Sequence, residues 1–417
     1  MINNFKTILL FLLFLNFFSF AEKEKVLFCD IAYSGNVSNL SKEFKFTSSS
    51  NTTDLIRINA RKVLENLEID NFELLINNAD DFNTVLGKDS DIKLGLVILI
   101  DGEYINKKSL SKYHTYQYWI SGQLIFFDTI SKRVVICKPF GAIQDIISES
   151  KRTDDQHLNA FNTLLIGNKD DEIGVFFDSL SKKIKEVRLD DVSGRYLQIK
   201  EINLSQEAIN EYNSIYPNIN NFKKFIASSV INSFSDNLQT PFLPYVVGDS
   251  GGNKDENRLT DAGAFTVNII NNESGSTKKF DMKIPESDYQ LDIEIPPFVK
   301  HLVKEGPGYK QYIFGTYMKI KLWEPFGGQI FFEERFKNGI VQTLPSKNEK
   351  NIPSLPFYML SLIECSQKVS GNLNKLSEKL SKSEAQEFKT WLKGQGVKSL
   401  EKKMLNFKKI LEKCKNG

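Results

Sequence analysis

The sequence predicts an α+β protein of two halves, each a mainly antiparallel sheet with packed helices, followed by a C-terminal helical segment. Three observations lead there. Short apolar runs and period-two alternation mark strands in both halves, apolar steps of three and four residues mark helices among them, and from Pro353 onward only the helical stepping remains. The divisions that follow are a leader at 1–21, a first α+β domain at 22–205, a second at 206–350 and a helical segment at 351–417.

The elements are justified in chain order. Lys6 precedes the apolar run from Ile8 to Leu15, Asn16 breaks it, and Ser19-Phe-Ala21 closes it before Glu22-Lys-Glu-Lys25. That is the charged, apolar and small-x-small pattern of a secretory signal peptide. The run is short for a bilayer span, so the expectation is export across an inner membrane into the periplasm, with no transmembrane span in the mature chain. Val26–Tyr33 reads as a strand, and a Ser/Asn/Thr-rich stretch leads to a helix at about Asp54–Leu67, whose Ile56, Ala60, Val63 and Leu67 share a face. Strands follow at Phe72–Ile76 and Leu94–Ile100, the second apolar enough for a central position. Tyr116–Phe127 and Arg133–Cys137 flank a polar turn and read as an antiparallel hairpin, after which Pro139 and Gly141 end the pattern ahead of a helix.

The second half repeats this plan. A helix at about Asn220–Leu238 precedes strands around Phe280–Ile284, Leu291–Ile295 and Met318–Trp323, and Pro325-Phe-Gly-Gly328 turns the last of these back. Met318, Ile320 and Leu322 alternate with Lys319 and Lys321, giving one buried and one wet face. In the tail, Tyr358, Leu362, Cys365 and Val369 form one helical stripe, and Leu400, Met404, Phe407, Leu411 and Cys414 form another.

Charge is close to balance, with 54 Lys and Arg against 52 Asp and Glu, which argues against nucleic acid as a partner. Cys29, Cys137, Cys365 and Cys414 are an even set, as disulfides in an oxidising compartment require. The economical pairing is Cys29–Cys137 with Cys365–Cys414, and the alternative is four buried thiols acting as small hydrophobes. Three histidines, His114, His157 and His301, are too far apart in sequence for HExxH, and no Walker A, GxGxxG or CxxC string occurs, so neither a metal nor a cofactor is expected.

Gly248-Asp-Ser-Gly-Gly252 resembles the nucleophile segment of chymotrypsin-like serine proteases. The resemblance implies Ser250 as nucleophile, with the Gly248 and Ser250 amides as oxyanion hole. Neither His114 nor His157 matches that family's alanine-rich histidine segment, and the stretch after Gly252 is polar where the family has a buried strand. The same loop carries oxygen donors at Asp249, Asn253, Asp255, Asn257 and Asp261, without the glycine and terminal acid of an EF-hand loop. Tyr116, Tyr118 and Trp119 in the first half, and Tyr312 and Tyr317 in the second, are candidates to line a ligand groove.

The succession of helix, strand, Gly-led strand and short Asp-containing turn resembles the small α/β modules of periplasmic assembly proteins such as the N-terminal domain of TolB. The resulting expectation is an exported, non-catalytic binding or assembly component of a bacterial cell envelope, whose partners are envelope proteins reached through strand edges or the helical tail. The alternatives are an exported serine hydrolase using Ser250, or a periplasmic ligand-binding protein with a pocket between its halves.

Overall fold

A computed structural model describes residues 23–34, 41, 44–76, 92–110, 113–167, 174–189, 195–216, 218–245, 264–271, 276–376 and 379–416. They form two sheets with packed helices and a helical C-terminal segment.

Strand β1 (Lys25–Tyr33) is buried on both faces, as its near-continuous apolar run requires of an interior strand. It pairs in parallel with β2 (Glu73–Ile76) and with β3 (Leu94–Leu110). Strands β4 (Tyr113–Asp128) and β5 (Val134–Ser148) continue from β3 as antiparallel neighbours. The hairpin expected at 116–137 is therefore present, but β5 runs on through Pro139 and Gly141 instead of giving way to a helix. Strand β5 is the sheet's outer strand, where proline is tolerated because half of the backbone N–H groups point away from the ladder. Helices α1 (Ser50–Glu65), α2 (Asp154–Ile166) and α3 (Val175–Lys185) cover one face, burying Ile56, Phe161, Phe176 and Leu180 against Leu96, Ile98 and Phe126. A reciprocal capping box between Thr153 and Gln156 starts α2 where the sequence leaves its turn.

The second sheet begins with β6 (Leu197–Leu204). Between β6 and the rest of its sheet the chain forms α4 (Gln206–Asn213), α5 (Ile219–Leu238) and the hairpin β7 (Ala264–Asn271)–β8 (Ser276–Lys283). Strand β9 (Tyr289–Ile295) runs parallel to β6. The long strand β11 (Tyr309–Trp323) carries β10 (Val299–Gly306) and β9 on one side and β12 (Ile330–Pro345) along the other. Helices α6 (Leu355–Lys375), α7 (Lys382–Gln395) and α8 (Leu400–Asn416) complete the chain.

Two assignments differ from the division at 205/206. Strand β6 pairs in the second sheet, and β7–β8 extends the first sheet through the Tyr33–Asn268 pair. The halves thus exchange strands. Helix α5 joins them: it is buried nearly all round, as an interior helix must be. Phe225 meets Trp119 and Tyr104 of the first sheet at ring separations of 5.1 and 5.7 Å, while Phe234 lies 5.9 Å from Phe407 of α8.

All four cysteines are buried free thiols, which corrects the proposed pairing. Cys29 on β1 and Cys137 on β5 share a core layer, yet β3 and β4 lie between them. Three strand spacings amount to roughly 14 Å, beyond the ~7 Å between Cα atoms that a disulfide tolerates. Cys365 and Cys414 share the core formed by α5, α6, α8 and the second sheet, also as thiols.

Candidate functional site

A cleft of about 610 Å³ opens where the helices of the two halves meet. Strand β5 contributes Cys137 and Lys138, and the last turn and exit of α3 contribute Lys183, Lys185, Glu186 and Arg188. Lysines in a final helical turn suit its negative end. Arg195 and Tyr196, just before β6, and Ser235 and Gln239, at the end of α5, form the opposite wall, with Cys414 of α8 reaching it. Gln239 closes α5 in the left-handed region (φ 52°), its N–H donating to the Ser235 carbonyl at 2.9 Å.

The charges in this cleft are arranged by identifiable contacts. Lys183 Nζ lies 2.9 Å from Asp236 Oδ1 and 3.2 Å from Glu186 Oε2. Burial works against its charge, but the two carboxylates outweigh burial and raise its pKa. Arg195 donates to the Tyr289 hydroxyl at 2.5 Å, its guanidinium 5.8 Å from the ring centroid. The Tyr196 amide donates to Asp288 at 2.7 Å. Burial pushes the Cys414 thiol up to about 12 and raises Cys137 as well, so both stay protonated and are poor nucleophiles. Among the described lining residues, Lys138, Lys183, Lys185, Arg188 and Arg195 face two acids, Asp70 and Glu186.

The expected aromatic groove does not form. Tyr116 and Tyr118 are buried beneath α2, where the Tyr118 hydroxyl lies 2.7 Å from His157 Nδ1 and accepts from Arg152 at 3.1 Å. Strand alternation turns neighbouring Trp119 to the opposite face, against α5. Tyr312 is buried in a small core of the second sheet with its hydroxyl donating to Glu349, and Tyr317 lies half-buried under the Arg335 guanidinium, 4.9 Å away. A pocket between the halves exists, but none of those five rings lines it.

Ser250, the oxygen donors at 249–261 and the leader at 1–21 lie outside the described residues. Among the described residues no group of three or more His, Cys, Asp and Glu side chains could hold a metal, and no helix is long and apolar enough to cross a membrane. His157 is buried, and that burial, with Lys107 and Arg152 nearby, lowers its pKa to about 4. A buried carboxylate, Asp101, sits at the β3 bulge, where it accepts from Ser121 at 2.5 Å and Gln123 at 2.8 Å. Burial raises its pKa. The cluster faces α5 through Ser228 and holds no histidine base.

The outer face of the second sheet is a further open surface. On β11, Phe314, Thr316, Met318, Ile320 and Leu322 are buried and the residues alternating with them are half-buried. Strand β10 is exposed along nearly its whole length. Gly315 and Gly339 are register partners, and a Cβ on Gly339 would stand 2.9 Å from Ile313 Cγ2, so Ile313 lies across that glycine. With Val299 (42% exposed) and Val341 (53% exposed), Ile313 forms an apolar strip next to Lys304, Arg335 and Lys337. The sequence announced a wet face here but not its apolar members. The signal was there: Ile313 and Val341 occupy outward positions of the alternation.

No protein-family model matches the chain, and no curated protein matches it. Among solved structures, it is similar to a minor lipoprotein from Acinetobacter baumannii (6% identity, TM-score 0.23, 43% of this chain and 93% of that one). A hypothetical protein from Chlamydia trachomatis gives 6% identity and a TM-score of 0.23 over 43% of this chain and 97% of that one. A neuraminyllactose-binding hemagglutinin homolog from Helicobacter pylori gives 13% identity and a TM-score of 0.22 over 47% and 86%. At TM-scores this low, none of these likenesses bears on function.

Proposed function

We propose that the chain is an exported, non-catalytic binding component of a bacterial envelope that works through protein contacts. The observation that carries this reading is the open outer face of the second sheet, where Val299, Ile313 and Val341 form an apolar strip. Such a strip, bordered by Lys304, Arg335 and Lys337, suits a partner that brings apolar side chains with acidic flanks. The leader-like segment at 1–21 supplies the route of export and the periplasm as destination.

A photo-crosslinking residue at Val341, in cells of the native host, tests this. The expected result is one adduct with an envelope protein, lost when Ile313→Asp is added, and no adduct from the same probe at Lys402 on α8. Fractionation should recover the chain with periplasmic markers. Absence of a Val341 adduct sinks the reading, as does purified protein whose turnover is abolished by Ser250→Ala.

A further inference from the structure

We infer that the outer edge of β5, at residues 142–148, takes up an extended segment of a partner protein as an added strand, one that places a basic residue between two apolar ones. Strand β5 ends the order of the first sheet, and among the described residues no strand pairs with its far side. From Ala142 to Ser148 it keeps regular antiparallel register with β4. Ala142 is buried and Ile146 packs against the first core, so this part of the strand is anchored. Ile143 and Ile147 are nevertheless 46% and 72% exposed, with exposed Asp145 between them.

Proteins blunt their sheet edges with lysines, proline, bulges, short strands or a cover. Every other outer strand among the described residues carries such a device. Strand β2 has only four residues, and β8 includes Lys278, Lys279 and Lys283. Strands β6 and β10 each have a register shift beside a lysine, at Lys200 and at Lys304. On β12 the Gln395 side chain meets the edge backbone, its Oε1 accepting from the Lys337 amide at 2.8 Å. The earlier part of β5 has Lys138 and Pro139 and is packed by α3, with Phe176 4.8 Å from Phe140. Residues 142–148 contain no Lys, Arg, Pro or Gly, and their three isoleucines favour pairing.

A second copy is the poorer occupant. A two-fold antiparallel pair that sets Ile143 against Ile147 also sets Asp145 against its own copy, and like charges directly opposite are destabilising. Sliding that pair by two residues sets Asp145 against an isoleucine instead. Asp145 has no ion-pair partner among the described residues. A foreign strand with Lys or Arg facing Asp145, and apolar residues facing Ile143 and Ile147, matches all three positions.

Fluorescence anisotropy of the full chain with a labelled, end-capped peptide, Thr-Val-Thr-Lys-Thr-Val-Thr, tests the inference. Saturable binding is expected. Glutamate in place of the peptide's lysine should weaken it roughly fivefold or more, and N-methylation of the peptide's amides should abolish it, because the ladder bonds are lost. Asp145→Lys should reverse the preference toward the glutamate peptide, and Ile147→Lys should remove binding of both; each change falls at an exposed position. Ultracentrifugation should find the free chain monomeric. The inference is overturned by no saturable binding, by equal affinity for the lysine and glutamate peptides, or by a dimer that Ile147→Lys breaks, the last in favour of a second copy. The Val341 crosslink reads the other sheet, so the two proposals fail separately.

Discussion

Glu103 accepts from the Phe46 amide at 3.1 Å and from the Thr47 amide and hydroxyl, each at 2.8 Å, holding the turn that leads into α1. Despite these donors, burial pushes its carboxyl up to about 7 from 4.5. Between those values the folded chain keeps a proton that the unfolded chain has lost. Glu103 therefore contributes stability that is present below pH 4.5 and lost as pH rises through about 7. His157 acts with the opposite sign. Its contribution is present above 6.5 and lost as pH falls through about 4, because the buried imidazole refuses a proton that the unfolded chain accepts. Across pH 4.5 to 6.5 the two slopes oppose each other. Glu103→Gln should make the urea midpoint rise with pH more steeply than in the parent, and His157→Phe should make it fall. Identical slopes in all three proteins would contradict both assignments. Neither environment was legible in the sequence, since each depends on residues far away in the chain: Phe46 and Thr47 for Glu103, Tyr118 and Lys107 for His157.

Among the elements, strongly periodic ones were legible and their ends were not. The 116–137 hairpin follows directly from alternation, but Pro139 reads as a stop only until β5 is known to be an outer strand. Strand β10 leaves no mark in the sequence because Val299–Gly306 has no buried face for a pattern to report. The cysteine pairing failed at this scale too, since strand order decides it and sequence spacing does not. Thiol titration in denaturant should find four thiols, and a reducing agent should leave the melting temperature unchanged; fewer thiols would contradict the structure. The join between α2 and α3 is equally specific. A Cβ on Gly174 would stand 2.2 Å from the Leu165 carbonyl oxygen, which is backbone and cannot rotate away. Gly174→Ala should cost about 1–3 kcal/mol by urea unfolding, and a neutral result would show that α3 can shift as a unit.

At the scale of the molecule, two α+β halves and a helical tail were readable, because periodicity reports what each segment buries. The partner of each strand was not, because alternation does not say which sheet receives it. Since β6 lies in one half by sequence and the other by pairing, while β7–β8 does the reverse, neither half is complete alone. Calorimetry should show one cooperative transition, and a fragment of residues 22–205 should fail to fold, leaving β6 without β9 and Trp119 without Phe225. Two separate transitions would refute this. The Tyr33–Asn268 pair also governs time. A chain emerging from its N-terminus can pair β3 with β4 early, but β1 must wait for β7, and β6 for β9. Such distant closures are slow. A polypeptide built this way completes neither sheet until its last strands arrive, and its apolar strand faces stay open to aggregation for that interval.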